Sequence, residues 1–163
     1  MIKNLIGITL FLGIATTAIS ETIAPSPTEL KIAIKLAEQG NAKVQFSLGV
    51  MYYYGDGVQQ DYAKAAEWLE KAAAQDHAGA QFFLGGLYYR GEGVRQDYAK
   101  AAEWLEKAAA QDEVNAQFLL GLMYYDGKGV RQNLATAKEW FGKACDNGLQ
   151  RGCDFYRDLN TKQ

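Results

Sequence analysis

The chain has 163 residues, enough for one compact unit, with a net charge of −2 and an isoelectric point near 5.5. At 48% hydrophobic and 22% charged it has the composition of an ordinary folded protein, without the strongly basic face that nucleic-acid binding requires. One histidine and two cysteines leave little material for a metal centre, and no motif calls for a cofactor.

The chain opens with a single cation, Lys3, followed by an apolar run from Leu5 to Ile19. Ala18-Ile19-Ser20 then supplies the small residues that a signal peptidase reads. The run is about 15 residues long, against the ~20 needed to cross a bilayer. Residues 1–20 are therefore expected to be a cleaved signal peptide, cut between Ser20 and Glu21, with no stable membrane insertion afterwards. No cysteine lies near the cut, which argues against a lipid anchor. Losing Lys3 leaves a mature charge of 16 − 19 = −3. The short, weakly charged start suggests bacterial export, to the periplasm or as a secreted protein.

Residues 21–26 form a short leader. Ser26-Pro27-Thr28-Glu29 then reads as a helix start, with Ser at the N-cap, Pro at the first helical position and Glu closing a capping box. Leu30, Ala33, Ile34 and Ala37 give the helix an apolar side, and Gly40 ends it. This half-repeat, 27–43, aligns with the second half of the units that follow, as an end cap does.

Three units of one period come next, at 44–79, 80–115 and 116–151. The block DYAKAAEWLEKAAAQD at 61–76 recurs letter for letter at 97–112, and in degraded form as NLATAKEWFGKACDNG from Asn133. The first two units match at 26 of 36 positions, which marks tandem repetition and hence a solenoid. Each unit predicts two helices. The first, about Ala42 to Tyr54 in the first unit, is stopped by Gly55-Asp56-Gly57. The second is capped by Asp61 and carries Ala65, Trp68, Leu69 and Ala72 on one face. The later units repeat this with Asp97 and Trp104, then Asn133 and Trp140. A last short helix is expected over Arg151–Leu159, within a cap at 152–160. The fold class is thus all-α, with about eight helices.

Several residues carry local expectations. The tryptophans should be the largest core plug of each unit. Gly49, Gly85 and Gly121 recur mid-helix, where each costs ~1 kcal/mol against alanine, so a neighbouring helix must come close there. Glu67 and Glu103 stand three or four residues from Lys64, Lys71, Lys100 and Lys107 and, with Glu70 and Glu106 beside them, read as surface ion pairs. His77 reads as a solvated loop residue. The Gly-x-Gly pairs lack the strand, third glycine and Lys-Ser/Thr of a phosphate loop, so they are turns.

The frame A-Q-F-x-L-G-x-x-Y-Y-x-G-x-G-V-x-Q-D-Y-x-K-A-x-x-W-x-x-K-A-A, as it stands from Ala80 to Ala109, resembles the Sel-1-like repeat, a relative of the tetratricopeptide repeats. The resemblance runs from Glu29 to about Phe155. It implies a right-handed α/α solenoid of antiparallel helix pairs that offers a concave groove to protein or peptide partners. The third copy departs at Phe141, Gly142 and Cys145, which should weaken only the end of that unit. Lys143-Ala144-Cys145 and Gly152-Cys153 are similar to the exported cysteine-rich subfamily, and the resemblance implies a disulfide between Cys145 and Cys153. An oxidising compartment and a single cysteine pair agree with that. The alternative is two separate buried thiols.

Variation between otherwise similar units concentrates on the first helix. Val44, Ser47, Val50, Met51 and Tyr54 become Ala80, Phe83, Gly86, Leu87 and Arg90, then Ala116, Leu119, Leu122, Met123 and Asp126. Ser47, Val50 and Tyr54 are spaced i, i+3, i+7 and form a stripe. The expected groove has an apolar floor (Ser47, Val50, Phe83, Gly86, Leu119, Leu122), an Arg90/Asp126 margin beside Tyr54, and flanks at Tyr53, Tyr89 and Tyr125. The competing reading is variable core packing. The function expected is a non-enzymatic, exported interaction module with no catalytic or metal residues. A cell-wall or β-lactam activity, described for relatives of the subfamily, is the alternative, as is an envelope structural component. Beyond the signal peptide the chain has only Ser26 and Ser47, and neither is followed by the lysine of S-x-x-K.

Overall fold

The computed structural model describes residues 25–161, so the expected signal peptide lies outside the described residues. Among them are eight helices and no strand: α1 (Pro27–Glu38), α2 (Ala42–Tyr54), α3 (Tyr62–Ala73), α4 (Ala78–Arg90), α5 (Tyr98–Ala109), α6 (Val114–Asp126), α7 (Leu134–Asp146) and α8 (Gln150–Thr161). Each packs against its neighbours in the chain, and α2 also touches α4. The architecture is an all-α solenoid.

Local chemistry sets the boundaries. Ser26 Oγ accepts from the Glu29 N–H at 3.3 Å, and the Ser26 N–H donates to Glu29 Oε2 at 2.7 Å, completing the capping box. Asp61, Asp97 and Asn133 cap α3, α5 and α7 with their side chains. Gly55, Gly91 and Gly127 end α2, α4 and α6 in the left-handed conformation. The loop glutamines Gln60, Gln96 and Gln132 then donate back to the carbonyls of Tyr53, Tyr89 and Tyr125 at 2.8, 3.0 and 2.8 Å, closing each turn.

Within each pair the expected close approach is real. A Cβ on Gly49 would stand 2.6 Å from Leu69 Cγ, one on Gly85 2.8 Å from Leu105 Cγ, and one on Gly121 2.6 Å from Phe141 Cε1. Those three partners are fully buried, and they, not the tryptophans, are the plugs of the core. Trp68, Trp104 and Trp140 are half-buried at the junction with the preceding pair. Their outer faces carry Lys71, Lys107 and Lys143, whose ammonium groups lie 4.1, 4.3 and 4.1 Å from the ring. This also corrects the expected ion pairs. Among the described residues Glu67, Glu70, Glu103 and Glu106 form no salt bridge. Glu70 and Glu106 instead accept from the Tyr88 and Tyr124 hydroxyls at 3.1 and 3.2 Å.

Between pairs, a buried glutamine repeats. Gln45, Gln81 and Gln117 each donate to a carbonyl eight residues back, at Ala37, Ala73 and Ala109 (2.8, 3.2 and 3.3 Å). Each also accepts from the end of the following second helix, at Gln75, Gln111 or Asn147 (2.7, 2.8 and 3.0 Å). Both halves of these amides are therefore satisfied, as burial demands. At the last junction the same two places, Ala109 + 36 and Gln117 + 36, hold Cys145 and Cys153, which are disulfide-bonded.

The residues of the C-terminal departure are packed into the core of that end. Phe141 is fully buried and lies 5.6 Å from the Phe118 ring and 4.9 Å from Phe155. A Cβ on Gly142 would meet Tyr156 at 3.3 Å, and one on Gly152 would meet the Phe141 carbonyl oxygen at 2.9 Å. The larger aromatic and the two small residues are what seat α8. That helix begins at Gln150, three periods after the start of α2 and two after that of α4, and runs to Thr161, longer than the expected Arg151–Leu159.

Candidate functional site

The five variable positions of α2, α4 and α6 divide by burial. Ala80, Ala116, Met51, Leu87 and Met123 are 0–3% exposed and belong to the core. Ser47, Val50, Phe83, Leu119 and Leu122 are half-buried, while Arg90, Asp126 and Tyr54 (52%) are exposed. Sequence spacing alone could not separate these two sets. The flanking Tyr53, Tyr89 and Tyr125 are half-buried.

The aromatic members meet edge to face. Phe83 lies 5.2 Å from the Tyr53 ring and 6.2 Å from the Tyr54 ring, with interplanar angles of 83° and 85°. Phe46, which the sequence reading passed over, adds a contact to Phe83 at 5.9 Å. Ser47 donates its hydroxyl to the Lys43 carbonyl of its own helix at 3.0 Å.

Gly86 departs from expectation. It is buried, because the Arg90 guanidinium folds back over it: a Cβ there would lie 3.3 Å from both Nη atoms. Arg90 in turn is tied to Glu92 Oε2 through Nε–H at 2.6 Å and to the Tyr53 hydroxyl through Nη2–H at 2.7 Å. Burial pulls Arg90 down, but Glu92 and Tyr53 outweigh it and hold the guanidinium above its ordinary pKa. Burial raises the Tyr53 phenol, against the pull of Arg90. The next unit inverts the signs. Asp126 takes the Arg90 position and pairs at 3.3 Å with Lys128, which donates to the Tyr89 hydroxyl at 3.3 Å. A cation of one unit thus docks on a tyrosine of the unit before.

The stripe continues onto α8, which the sequence reading had cut short. One period beyond Leu119 stands Phe155, half-buried against Phe118, Phe141 and Tyr125. One period beyond Asn115 stands Arg151, over the Phe118 ring at 5.1 Å. The missed signal was the period itself, carried one unit further.

His77, expected to be a solvated loop residue, is half-buried at the N-cap of α4. Its Nδ1 accepts from the Ala80 N–H at 3.3 Å and its ring stacks on Phe46 at 4.4 Å. Burial, with Lys43 nearby, holds the imidazole below its usual pKa. Surface depressions recur at the turn edge, one lined by Tyr88, Gln96 and Lys100 and its copy by Tyr124, Gln132 and Leu134, away from the stripe. Cys145 and Cys153 form the disulfide that the resemblance implied. Among the described residues no group of His, Cys, Asp and Glu is placed to hold a metal ion.

The family model described as the Sel1 repeat matches residues 42–77, 78–113 and 114–149, a frame opening two residues before the expected units. No curated protein matches the sequence. Among solved structures, the chain is similar to a protective antigen present in uropathogenic Escherichia coli strains that displays an SLR fold (37% identity, TM-score 0.75). The match covers 77% of this chain but 27% of the antigen, so the chain spans about a quarter of that protein's length. A Sel1 repeat protein from Oxalobacter formigenes is 35% identical, with a TM-score of 0.71 over 79% of this chain and 97% of that one. The Helicobacter pylori cysteine-rich protein B is 28% identical, with a TM-score of 0.61 over 78% and 91%.

Proposed function

The chain belongs to the Sel1 repeat family, and on that premise we propose that it is a non-enzymatic interaction module, exported from the cell, which holds a segment of a partner protein along the stripe of α2, α4, α6 and α8. Sel1 repeats mediate protein–protein interaction. One observation carries the reading here. The second helices α3 and α5 are identical in sequence, and the core positions of the first helices stay apolar, yet positions 47, 50 and 54 change in every unit. Packing alone gives no reason for Ser, Phe and Leu to succeed one another at one half-exposed place. A surface that reads different side chains along a partner does.

The stripe is taken to line the concave side of the solenoid, and about three and a half rows suit a short extended segment better than a folded domain. Export is supported by the Cys145–Cys153 disulfide, since such bonds persist in oxidising compartments, and by the likeness to a cysteine-rich relative. The test is crosslinking capture from bacterial envelope extract with the oxidised protein. A partner captured by the wild type should be lost with Phe83→Ala plus Leu122→Ala and kept with Glu67→Ala plus Glu103→Ala on the second helices. Equal capture by both double variants would refute the groove.

A further inference from the structure

Unit two holds a feature that the other units lack. In α2 and α6 an aliphatic side chain, Val50 or Leu122, fills the middle position of the stripe, but here Gly86 leaves it empty and the Arg90 guanidinium lies down over the gap. A guanidinium has five N–H donors in one plane. Arg90 spends one on Glu92 and one on the Tyr53 hydroxyl, and among the described residues no other acceptor takes the remaining three. The side chain is 41% exposed, so that outward edge is fixed by two anchors yet open to solvent. Such a preset fork fits a planar carboxylate through two parallel hydrogen bonds. Beside the fork stands the edge-to-face pair of Phe83 and the exposed Tyr54, an apolar aromatic patch.

We propose that Arg90, laid over Gly86, forms an acid-reading subsite that grips a glutamate or aspartate side chain of an extended peptide, whose neighbouring apolar residue packs on the Tyr54–Phe83 aromatic pair. The stripe continues with half-buried apolar positions in the units on either side, so a bound chain runs through. The carboxylate therefore belongs to a side chain and not to a chain terminus. Unit three cannot make the same contact, because Asp126 occupies the position of Arg90 and its Lys128 is turned to Tyr89. This subsite rests on the groove reading above.

The experiment is fluorescence anisotropy with short synthetic peptides, capped at both ends, in which leucine alternates with glutamate, glutamine or lysine. A fourth peptide, leucine with glutamine, keeps a free C-terminal carboxylate. The wild type should bind the glutamate peptide about tenfold or more tightly than the glutamine one, the usual scale for a charge-assisted contact. Arg90→Gln should erase that preference with an unchanged melting temperature, Arg90→Lys should recover only part of it, and Glu92→Gln should strengthen glutamate binding by removing the competing carboxylate. A glutamate preference that survives Arg90→Gln, or a preference for the free-terminus peptide, would overturn the proposal. If all peptides bind alike, the subsite falls and the groove stands; if none binds, both fall.

Discussion

The junction between α5 and α6 and the junction between α7 and α8 occupy the same place in the repeat and are held in different ways. At the first, buried Gln117 bridges the Ala109 carbonyl and Asn147 of the helix beyond. The turn that follows α6 adds a second lock. Gly129, at positive φ, lies so close to α5 that a Cβ would sit 2.1 Å from the Tyr98 carbonyl oxygen. The second junction uses a different device. A covalent bond between Cys145 and Cys153 stands where the hydrogen bond was, and Gly152 replaces Ala116 to let the helices come closer. The lesson is that one junction of a solenoid can be held through the unit that follows it, while another is closed by a bond between its own two helices.

The sharpest way to break this contrast is at the turns. Gly129→Ala adds a left-handed penalty to a backbone clash and should destabilise by about 3 kcal/mol or more. Gly148→Ala has a similar φ of +91° but nothing within 4 Å, and should cost only about 1 kcal/mol. Thermal melts of the pair test the difference; equal losses would mean that the turn does not lock the junction.

Next in size is the disulfide. Its reduction, or Cys153→Ser, should lower stability by roughly 2–3 kcal/mol. Hydrogen exchange should show the loss confined to α8, with α3 to α5 protected as before. Uniform deprotection would show that the terminal junction is coupled to the whole stack.

Gln117→Leu keeps the bulk but removes the hydrogen bonds to the Ala109 carbonyl and from the Asn147 amide, and should cost about 1–2 kcal/mol in denaturant titration. A neutral outcome would demote the glutamine series to filler.

The smallest effect belongs to the α3/α4 junction, where the N-cap is His77. Its folded pKa lies below the usual 6.5, so the unfolded chain takes up the proton first. The neutral ring's contribution is complete above about pH 6.5 and is lost as pH falls from there through the folded value, because an imidazolium Nδ1 cannot accept from Ala80. The loss should be under about 1 kcal/mol. His77→Asn should keep the cap and flatten the stability profile between pH 7 and 5. An unchanged slope would place the proton elsewhere.

Much of the fold was legible before any coordinates. The repeat period, the capping box at Ser26, the Asp61 and Asp97 caps and the left-handed glycines each depend on residues a few places apart, and such local chemistry survives in a linear text. The site was half legible. The period pointed to positions 47, 83 and 119, and the spacing put them on one stripe. It could not say that Arg90 would fold over Gly86, that Lys128 and not residue 126 would meet Tyr89, or that Phe155 would extend the row.

The amino-acid sequence by itself determined which segments become helices, how often they recur and which face of each is apolar, since propensity, capping and periodicity act within a turn or two of chain. Only the tertiary structure decided which variable positions are core, that Glu70 and Glu106 meet Tyr88 and Tyr124, and that Arg90 and Lys128 reach back to Tyr53 and Tyr89. Those hydrogen bonds join groups 18 to 39 residues apart, and distance in space between such groups is not written in their spacing along the chain.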